Sequence, residues 1–295
     1  MRISTSQKYN DLSARIQANE VAMARISARL ASGKKVEKPS DDPFAAVGIL
    51  TFRAAKTVSD QHASTANSVI GKLKLAENAL SEIHESLKQT RKIALQGAND
   101  SLDPAGRDAL VKELRQLQTS LLRNANVQDA NGNYLFAGFK TSTKPFEVSA
   151  NPPRILEYHG DSNKQLVEVG PATMLPANMI VDKTIINAFA AIEDAVTRLE
   201  SADTAGLSGI SLLMIEDALK AINTVRGEAG VMLNQFQSSA ESAIRRSDEF
   251  LKQISDREDA DLAETIVEMQ KAQTAYQASL AAFTAVTRMS LLDYL

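Results

Sequence analysis

Residues 254–295 read ISDREDADLAETIVEMQKAQTAYQASLAAFTAVTRMSLLDYL. The stretch contains no Gly and no Pro and is rich in Ala, Leu, Glu, Gln and Met, all strong helix formers. Ser255 and Glu258 have the spacing of a capping box, in which each side chain satisfies a free N–H of the other's turn, so a helix is expected to start at Ser255. Apolar residues then recur at steps of three and four: Leu262, Ile266, Met269, Tyr276, Leu280 and Phe283, interrupted once, at Gln273. This pattern predicts one amphipathic helix running to the last residue. A helix at a chain end frays unless its apolar stripe docks on something.

The other end of the chain offers the partner. Between Met1 and Ser32 there is again no Gly and no Pro, and Tyr9, Leu12, Ile16, Asn19, Met23, Ile26 and Leu30 alternate at three and four in the heptad spacing of a coiled-coil seam. Asn19 is the polar member of the seam. It is either a register-setting residue inside a packed interface or a wet position. Two amphipathic helices at opposite ends of one chain are therefore expected to pair. A two-helix pair buries too little apolar surface to offset the conformational entropy of ordering it. The ends are expected to be unfolded in the free chain and to order on docking against other copies.

Between these ends the pattern is mostly helical. Gly33 stops the first helix. Lys38-Pro39-Ser40-Asp41-Asp42-Pro43 then forms an extended turn, with Asp42 as N-cap and Pro43 at the first helical position, where a missing N–H costs nothing. A helix is predicted from Pro43 to about Gly97, with its stripe clearest at Ala66, Val69, Leu73, Ala76, Leu80, Ile83 and Leu87. At ~1.5 Å per residue it is a rod of roughly 80 Å. Asp103-Pro104 repeats the cap-and-proline device before Leu110, Leu114, Leu117 and Leu121, in a helix that fades near Gln128. From Lys183 to about Ser201, Ile185, Ala188, Ile192, Val196 and Leu199 mark another helix. After a break containing Gly206 and Gly209 comes the longest seam: Leu212, Ile215, Leu219, Ile222, Arg226, Ala229, Leu233, Phe236, Ala240, Ala243, Ser247, Phe250 and Ile254. Only Arg226 and Ser247 are polar in it. Leu262 is out of phase with Ile254, which places a boundary at Ser255.

Composition changes between Asn131 and Asp182. Most of the chain's eight prolines fall here. Short apolar runs such as Tyr134-Leu135-Phe136 and Leu166-Val167-Glu168-Val169 alternate with turn signals, including Asn151-Pro152-Pro153 and His159-Gly160-Asp161. The predicted fold is mainly α with a small β-rich insert. A long antiparallel helical bundle is built from the N- and C-terminal halves and flanked by paired terminal coiled-coil helices. The expected division is nested: residues 1–40 with 255–295, residues 41–130 with 183–254, and the insert 131–182.

Chemistry finds no foothold. Net charge is −3 with both signs interspersed, which removes the basic footprint of a nucleic-acid binder. No apolar run approaches the ~20 residues of a membrane span, and no secretory-type leader pattern is present. Cys is absent, so disulfide and thiolate chemistry are excluded. Asp129-Ala130-Asn131-Gly132-Asn133 starts like a calcium loop but has Tyr134 and Lys140 where Gly and Glu are required, so a helix-to-strand turn is expected. His84-Glu85 is followed by Lys88, not the second His of a zinc-protease helix. His62, His84 and His159 are too scattered for a metal site. The predicted catalytic, cofactor and metal residues are none. Arg226 is either a bundle-paired or solvated arginine, or half of an inter-subunit ion pair.

Several motifs, in order, carry a resemblance: Arg2-Ile3-Ser4; Arg29 through Val36 (RLASGKKV); Lys38-Pro39-Ser40-Asp41-Asp42-Pro43; Gly132 through Gly138 (GNYLFAG); Tyr158-His159-Gly160-Asp161; Asp259 through Glu264 (DADLAE); and Ser290-Leu291-Leu292-Asp293-Tyr294-Leu295. In this order the chain resembles the flagellin superfamily, and within it the hook-associated protein 3 family of hook–filament junction proteins. Flagellins share the ends but usually lack the Pro-Ser-Asp-Asp-Pro turn and the Asp-Tyr-Leu terminus.

The resemblance implies a non-catalytic structural subunit without cofactor, exported unfolded through the flagellar type III apparatus and secreted to the extracellular flagellum. Implied partners are hook-associated protein 1, flagellin, further copies of the chain in a ring, and a small cytosolic chaperone holding the C-terminal segment. Neither nucleic acid nor a membrane span is among them. The expected assembly interface is Leu12, Ile16, Asn19, Met23, Ile26 and Leu30 with Leu262, Ile266, Met269, Tyr276, Leu280 and Phe283. The expected hinge or helix-start motif is Pro39-Ser40-Asp41-Asp42-Pro43. Two alternatives are a flagellin filament subunit and a non-flagellar helical sensor whose insert binds a ligand around Tyr134, Phe136, Tyr158 and His159.

Overall fold

A computed structural model describes residues 5–99, 102–149 and 154–292. Arg2-Ile3-Ser4, Asn151-Pro152-Pro153 and Asp293-Tyr294-Leu295 lie outside the described residues. In chain order the elements are α1 (Thr5–Ser32), α2 (Pro43–Gly97), α3 (Pro104–Ala125), β1 (Phe146–Val148), β2 (Leu156–Tyr158), β3 (Leu166–Gly170), β4 (Thr173–Pro176), α4 (Asp182–Glu200), α5 (Thr204–Gly206), a π-helical turn (Leu207–Ser211), α6 (Leu212–Glu258) and α7 (Leu262–Leu292). The fold is mainly helical, with small antiparallel sheets in an inserted region, as the periodicity predicts. Two compact units are present: Ser59–Arg245, and Met1–Val58 with Arg246–Leu295.

Helix starts follow the cap chemistry. Asp42 accepts the Ala45 N–H at 2.9 Å, and Asp103 accepts that of Gly106 at 2.9 Å. Each is followed by a proline in the first turn, so both predicted starts stand. The helical break after α4 is shorter than expected. It is confined to residues 201–203, where Ala202 takes a positive φ of 57°, while Gly206 and Gly209 lie inside helical turns.

In unit 59–245, every residue of the α2 stripe from Ala66 to Leu87 is buried, as are Leu114 and Leu121 of α3, Ile185 to Leu199 of α4, and Ile215, Ile222, Ala229, Phe236 and Ala240 of α6. α2 and α6 run antiparallel: Glu77 pairs with Arg226, and Arg91 with Glu216. Arg226 directs Nη2 and Nε to the same Glu77 oxygen at 2.7 and 3.0 Å. The seam arginine is therefore spent inside the chain on a bundle ion pair.

The insert is two hairpins, β1 with β2 and β3 with β4, both antiparallel. Phe136, Phe146, Leu156 and Val169 enter the same hydrophobic cluster as the helices. Tyr134-Leu135-Phe136 is no strand: apart from a single bridge between Gln128 and Tyr134 it is turn, and it is pinned by side chains instead. The Tyr158 hydroxyl bonds the Phe136 carbonyl at 3.0 Å and that of Asp161 at 2.8 Å, and Asp161 accepts the Phe139 N–H at 3.0 Å. Gly138, at φ 66°, sits where a Cβ would strike the Asp161 carbonyl. The Gly132–Gly138 and Tyr158–Asp161 motifs are thus the two sides of one clasp. Asp129 accepts the N–H groups of Asn131 and Asn133, both at 2.9 Å, which makes the aborted calcium loop an Asx turn. Among the described residues no cluster of three or more His, Cys, Asp or Glu could hold a metal, and no helix is long and apolar enough to cross a membrane.

Candidate assembly interface

The unit formed by residues 1–58 and 246–295 is built around a stitched crossing and a helix pair. At the crossing, Gly33 ends α1 with a φ of 70° and returns its N–H to the Arg29 carbonyl at 2.8 Å. The chain then runs beside the α6–α7 connection. Lys35 N–H donates to the Glu258 carbonyl and Ala260 N–H to that of Gly33, both at 2.8 Å. The Lys35 ammonium reaches the Asp256 carbonyl at 2.8 Å. Val36, Ile49 and Ile254 form a small buried cluster with Ala45, Ala46 and Phe52 beside them.

The Glu258 carboxylate is the charged centre of this crossing. It is 5% exposed and pairs with Lys34 and with Arg53, the latter at 2.6 Å. Burial alone would raise its pKa, but the ion pairs and hydrogen bonds from Lys34 and Arg53 outweigh it and hold the carboxyl below its ordinary value.

Sequence reasoning missed this residue by assigning it to a capping box. That reading is corrected: α6 continues through Glu258, Ser255 lies inside it and donates to Asp259 at 2.5 Å, and the cap of α7 is Asp261, which accepts from Ala263 at 2.8 Å and Glu264 at 3.2 Å. Asp-Ala-Asp-Leu offers a better start than Ser255 because Asp261 takes two backbone donors of the new helix, while Ser255 spends its hydroxyl on Asp259. The hinge motif is an exposed, self-capped turn. Asp41 accepts the Lys38 N–H at 2.9 Å and the Glu37 N–H at 3.1 Å. These backbone donors hold its pKa down. Pro39 and Ser40 are exposed beside it.

α1 and α7 pair antiparallel. Lys34 bridges Asp259, the Asn19 amide donates to Ser279 Oγ at 2.7 Å, and the rings of Tyr9 and Phe283 are 5.0 Å apart. Leu12, Ile16, Asn19, Met23 and Ile26 are half-buried in this contact, while Leu30 remains exposed. On α7 the sheltered residues are Thr265, Glu268, Met269, Ala272, Tyr276, Ser279, Phe283 and Val286. That stripe overlaps the predicted one only at Met269, Tyr276 and Phe283. Leu262, Ile266 and Leu280 stay 52%, 46% and 39% exposed. Ala272 and Ser279 are too weakly apolar to be chosen from the sequence, but the Asn19–Ser279 bond identifies the register. Among the described residues of α1 none is buried, and Thr265 alone is buried on α7. The pair has the geometry of a coiled coil without an enclosed core.

Paired terminal helices stitched at a charged crossing, and a helical unit carrying inserted hairpins, define the class. The chain belongs to the flagellin superfamily. Residues 3–141 match the bacterial flagellin N-terminal helical region and residues 212–295 the bacterial flagellin C-terminal helical region. Within that class it is similar to flagellar hook-associated protein 3 of Escherichia coli, at 28% identity in a gapped alignment 314 positions long that covers 99% of this chain and 98% of that one. A flagellin of Halalkalibacterium halodurans aligns at 25% identity with 86% of this chain and 84% of its own. The crystal structure of hook-associated protein 3 from Legionella pneumophila shares the fold, with a TM-score of 0.61 at 18% identity over 70% of this chain and 99% of that one. The resemblance read from the motifs is borne out.

Proposed function

We propose that this chain is a structural subunit of the bacterial flagellum that forms the junction layer between hook and filament. The observation that carries the reading is the end-to-end alignment with a hook-associated protein 3, joined to a terminal helix pair that lacks an enclosed core. Such a pair is completed by neighbours. The subunit works outside the cell. It is exported unfolded by the flagellar type III system, with its C-terminal segment held beforehand by a cytosolic chaperone. It docks on hook-associated protein 1, forms a ring with its own copies, and presents a surface to flagellin. It catalyses no reaction. Residues 1–40 with 255–295 make the inner assembly layer, residues 41–130 with 183–254 the shaft, and residues 131–182 the outer part.

The flagellin reading predicts a different product. Full-length chain added to isolated hooks carrying hook-associated protein 1, viewed by electron microscopy, should add a limited layer. Filaments that lengthen with protein supplied would establish the flagellin alternative. Ile266→Asp should abolish the layer while leaving the helical signal of unit 59–245 intact. The ligand-binding alternative is disfavoured by geometry. The cleft beside Tyr134 and Phe136 holds about 40 Å³, against the ~300 Å³ or more of a ligand site. Tyr158 and His159 do not line it.

A further inference from the structure

α7 carries two heptad stripes, not one. The first, Thr265, Met269, Ala272, Tyr276, Ser279 and Phe283, faces α1. The second, Leu262, Ile266, Met269, Gln273, Tyr276, Leu280 and Phe283, shares three members with it and opens on the adjoining flank. Its unshared apolar members are the exposed Leu262, Ile266 and Leu280.

The opposite flank of the pair is concave. Two grooves of about 450 and 800 Å³ run along it. On α1 they are lined by Arg15, Ala18, Ala22, Arg25 and Arg29 among others, with Gln17 and Val21 further round the helix, and Leu262, Ile266 and Leu280 line neither groove. At ~100° per residue Arg15, Ala18, Ala22, Arg25 and Arg29 fall on one flank of their helix, and Leu262, Ile266 and Leu280 on one flank of α7. Because the helices are antiparallel, the two flanks lie on opposite sides of the pair. Charge follows the same division. Arg15, Arg25, Arg29 and Lys271 line the grooves against Asp11 and Glu268, whereas Glu20 falls on the far flank of α1.

We infer that copies of this chain dock side by side and head to tail, with Leu262, Ile266 and Leu280 of one copy seated along the flank of the next that runs from Asp11 past Ala18 and Ala22 to Arg29. The inference deepens the junction reading and rests on it for the statement that copies assemble. A ridge and a groove on opposite sides of one helix pair are not self-complementary by a two-fold axis. They make a heterologous contact, which closes into a ring or winds into a helix. The ridge seats at alanines because small side chains let a second helix approach closely. Glu20 of the incoming copy then meets the arginines that flank the groove.

The chain has no cysteine, so engineered thiols report the contact directly. Full-length Leu280→Cys and Ala18→Cys variants, with Ala22→Cys as a second groove position, are concentrated alone and mixed under mild oxidation. Covalent dimers are expected in the ridge-plus-groove mixtures and not in either variant alone. Dimers of Leu280→Cys with itself would mean a two-fold, back-to-back contact and overturn the inference, as would the absence of covalent dimers in every mixture. All three side chains are exposed or line an open groove, so the variants fold. Addition of wild-type chain to hooks tests the junction reading separately. Mixed dimers without hook addition would sink that reading and leave the docking geometry standing.

Discussion

Glu258 gives the sharpest test of what holds the terminal unit together. Its side chain is 7% exposed, while those of Lys34 and Arg53 are 43% and 51% exposed. The two sides of this ion pair are therefore unequal. Replacing Glu258 with Gln keeps the packing and one acceptor and frees two cations that already reach water. Charge-assisted hydrogen bonds are lost, but the half-exposed partners recover most of their solvation, so the cost is about 1–2 kcal/mol. Replacing both cations with Met instead strands a carboxylate away from water, which costs about 3–5 kcal/mol.

The readout is amide hydrogen exchange at Lys35 and Ala260, whose N–H groups donate to the Glu258 and Gly33 carbonyls across the crossing. Exchange should accelerate about 5–30-fold in Glu258→Gln and by hundreds-fold or more in Lys34→Met/Arg53→Met. The pH dependence has a fixed sign. The folded-state pKa of Glu258 lies below its ordinary 4.5, so its contribution is present above that value and is lost as pH falls through the depressed one. Acid should therefore lower the protection factors at both amides, taken against the intrinsic exchange rate at each pH, in the wild type and have less effect in Glu258→Gln. Equal acceleration by the two variants, or a larger effect from Gln, would refute the reasoning, because the cations and not the carboxylate would then be the desolvated side.

Further outcomes follow from the helix pair and the clasp. Asn19→Leu removes the bond to Ser279 and adds apolar surface to the seam. It should raise the thermal midpoint of the α1–α7 pair while broadening the distance distribution between spin labels at Val21 and Gln277, since a polar seam residue fixes register at a cost in stability. A narrow distribution would count against the register role. Tyr158→Phe deletes the hydroxyl that spans the two sides of the clasp and should cost about 1–2 kcal/mol in unit 59–245, measured by denaturant unfolding. Burial first, then the carboxylates of Asp182 and Asp161, push the Tyr158 phenol up to about 12 from 10.0. Its raised pKa means stability is full below pH 10 and falls as pH rises toward 12, so alkaline destabilisation in that window should be weaker in Tyr158→Phe.

Much of this fold is legible before any coordinates. α2 begins at Pro43 and ends at Gly97, where the cap, the proline and the glycine place it. The long α6 seam is sheltered at each predicted position, because burial on one face of a helix imposes a 3.6-residue period that only that face can satisfy. Legibility fails where backbone pairing gives way to side-chain pinning. Tyr134-Leu135-Phe136 has strand composition, yet Phe136 is buried by a turn that Tyr158 and Asp161 hold from a distance in sequence. The Ser255 boundary fails for a related reason. Ser-x-x-Glu satisfies a local rule, but the Glu258 carboxylate is taken by Lys34 and Arg53, which lie more than two hundred residues away, and is not free to reach back to a cap.

The stripe on α7 shows a subtler limit. A three-and-four alternation identifies a face, but a helix that serves two partners carries two faces whose members interleave. Met269, Tyr276 and Phe283 belong to both and anchor either reading. What separates the seams is Leu262, Ile266 and Leu280 on one side and Ala272 and Ser279 on the other. An isolated helix would bury the leucines and isoleucine and leave Ala272 and Ser279 to water. Here the small and polar set is sheltered and the large apolar set is exposed. That inversion has a physical cost unless a second surface covers the larger stripe. Ala272 and Ser279 suit the approach of α1, which comes with Asn19 to be satisfied. Leu262, Ile266 and Leu280 suit a contact that forms only on assembly, where the gain from burying them drives addition of one subunit to the next. On the proposed docking, the weaker seam holds the chain's own ends together and the stronger one is left for a neighbour.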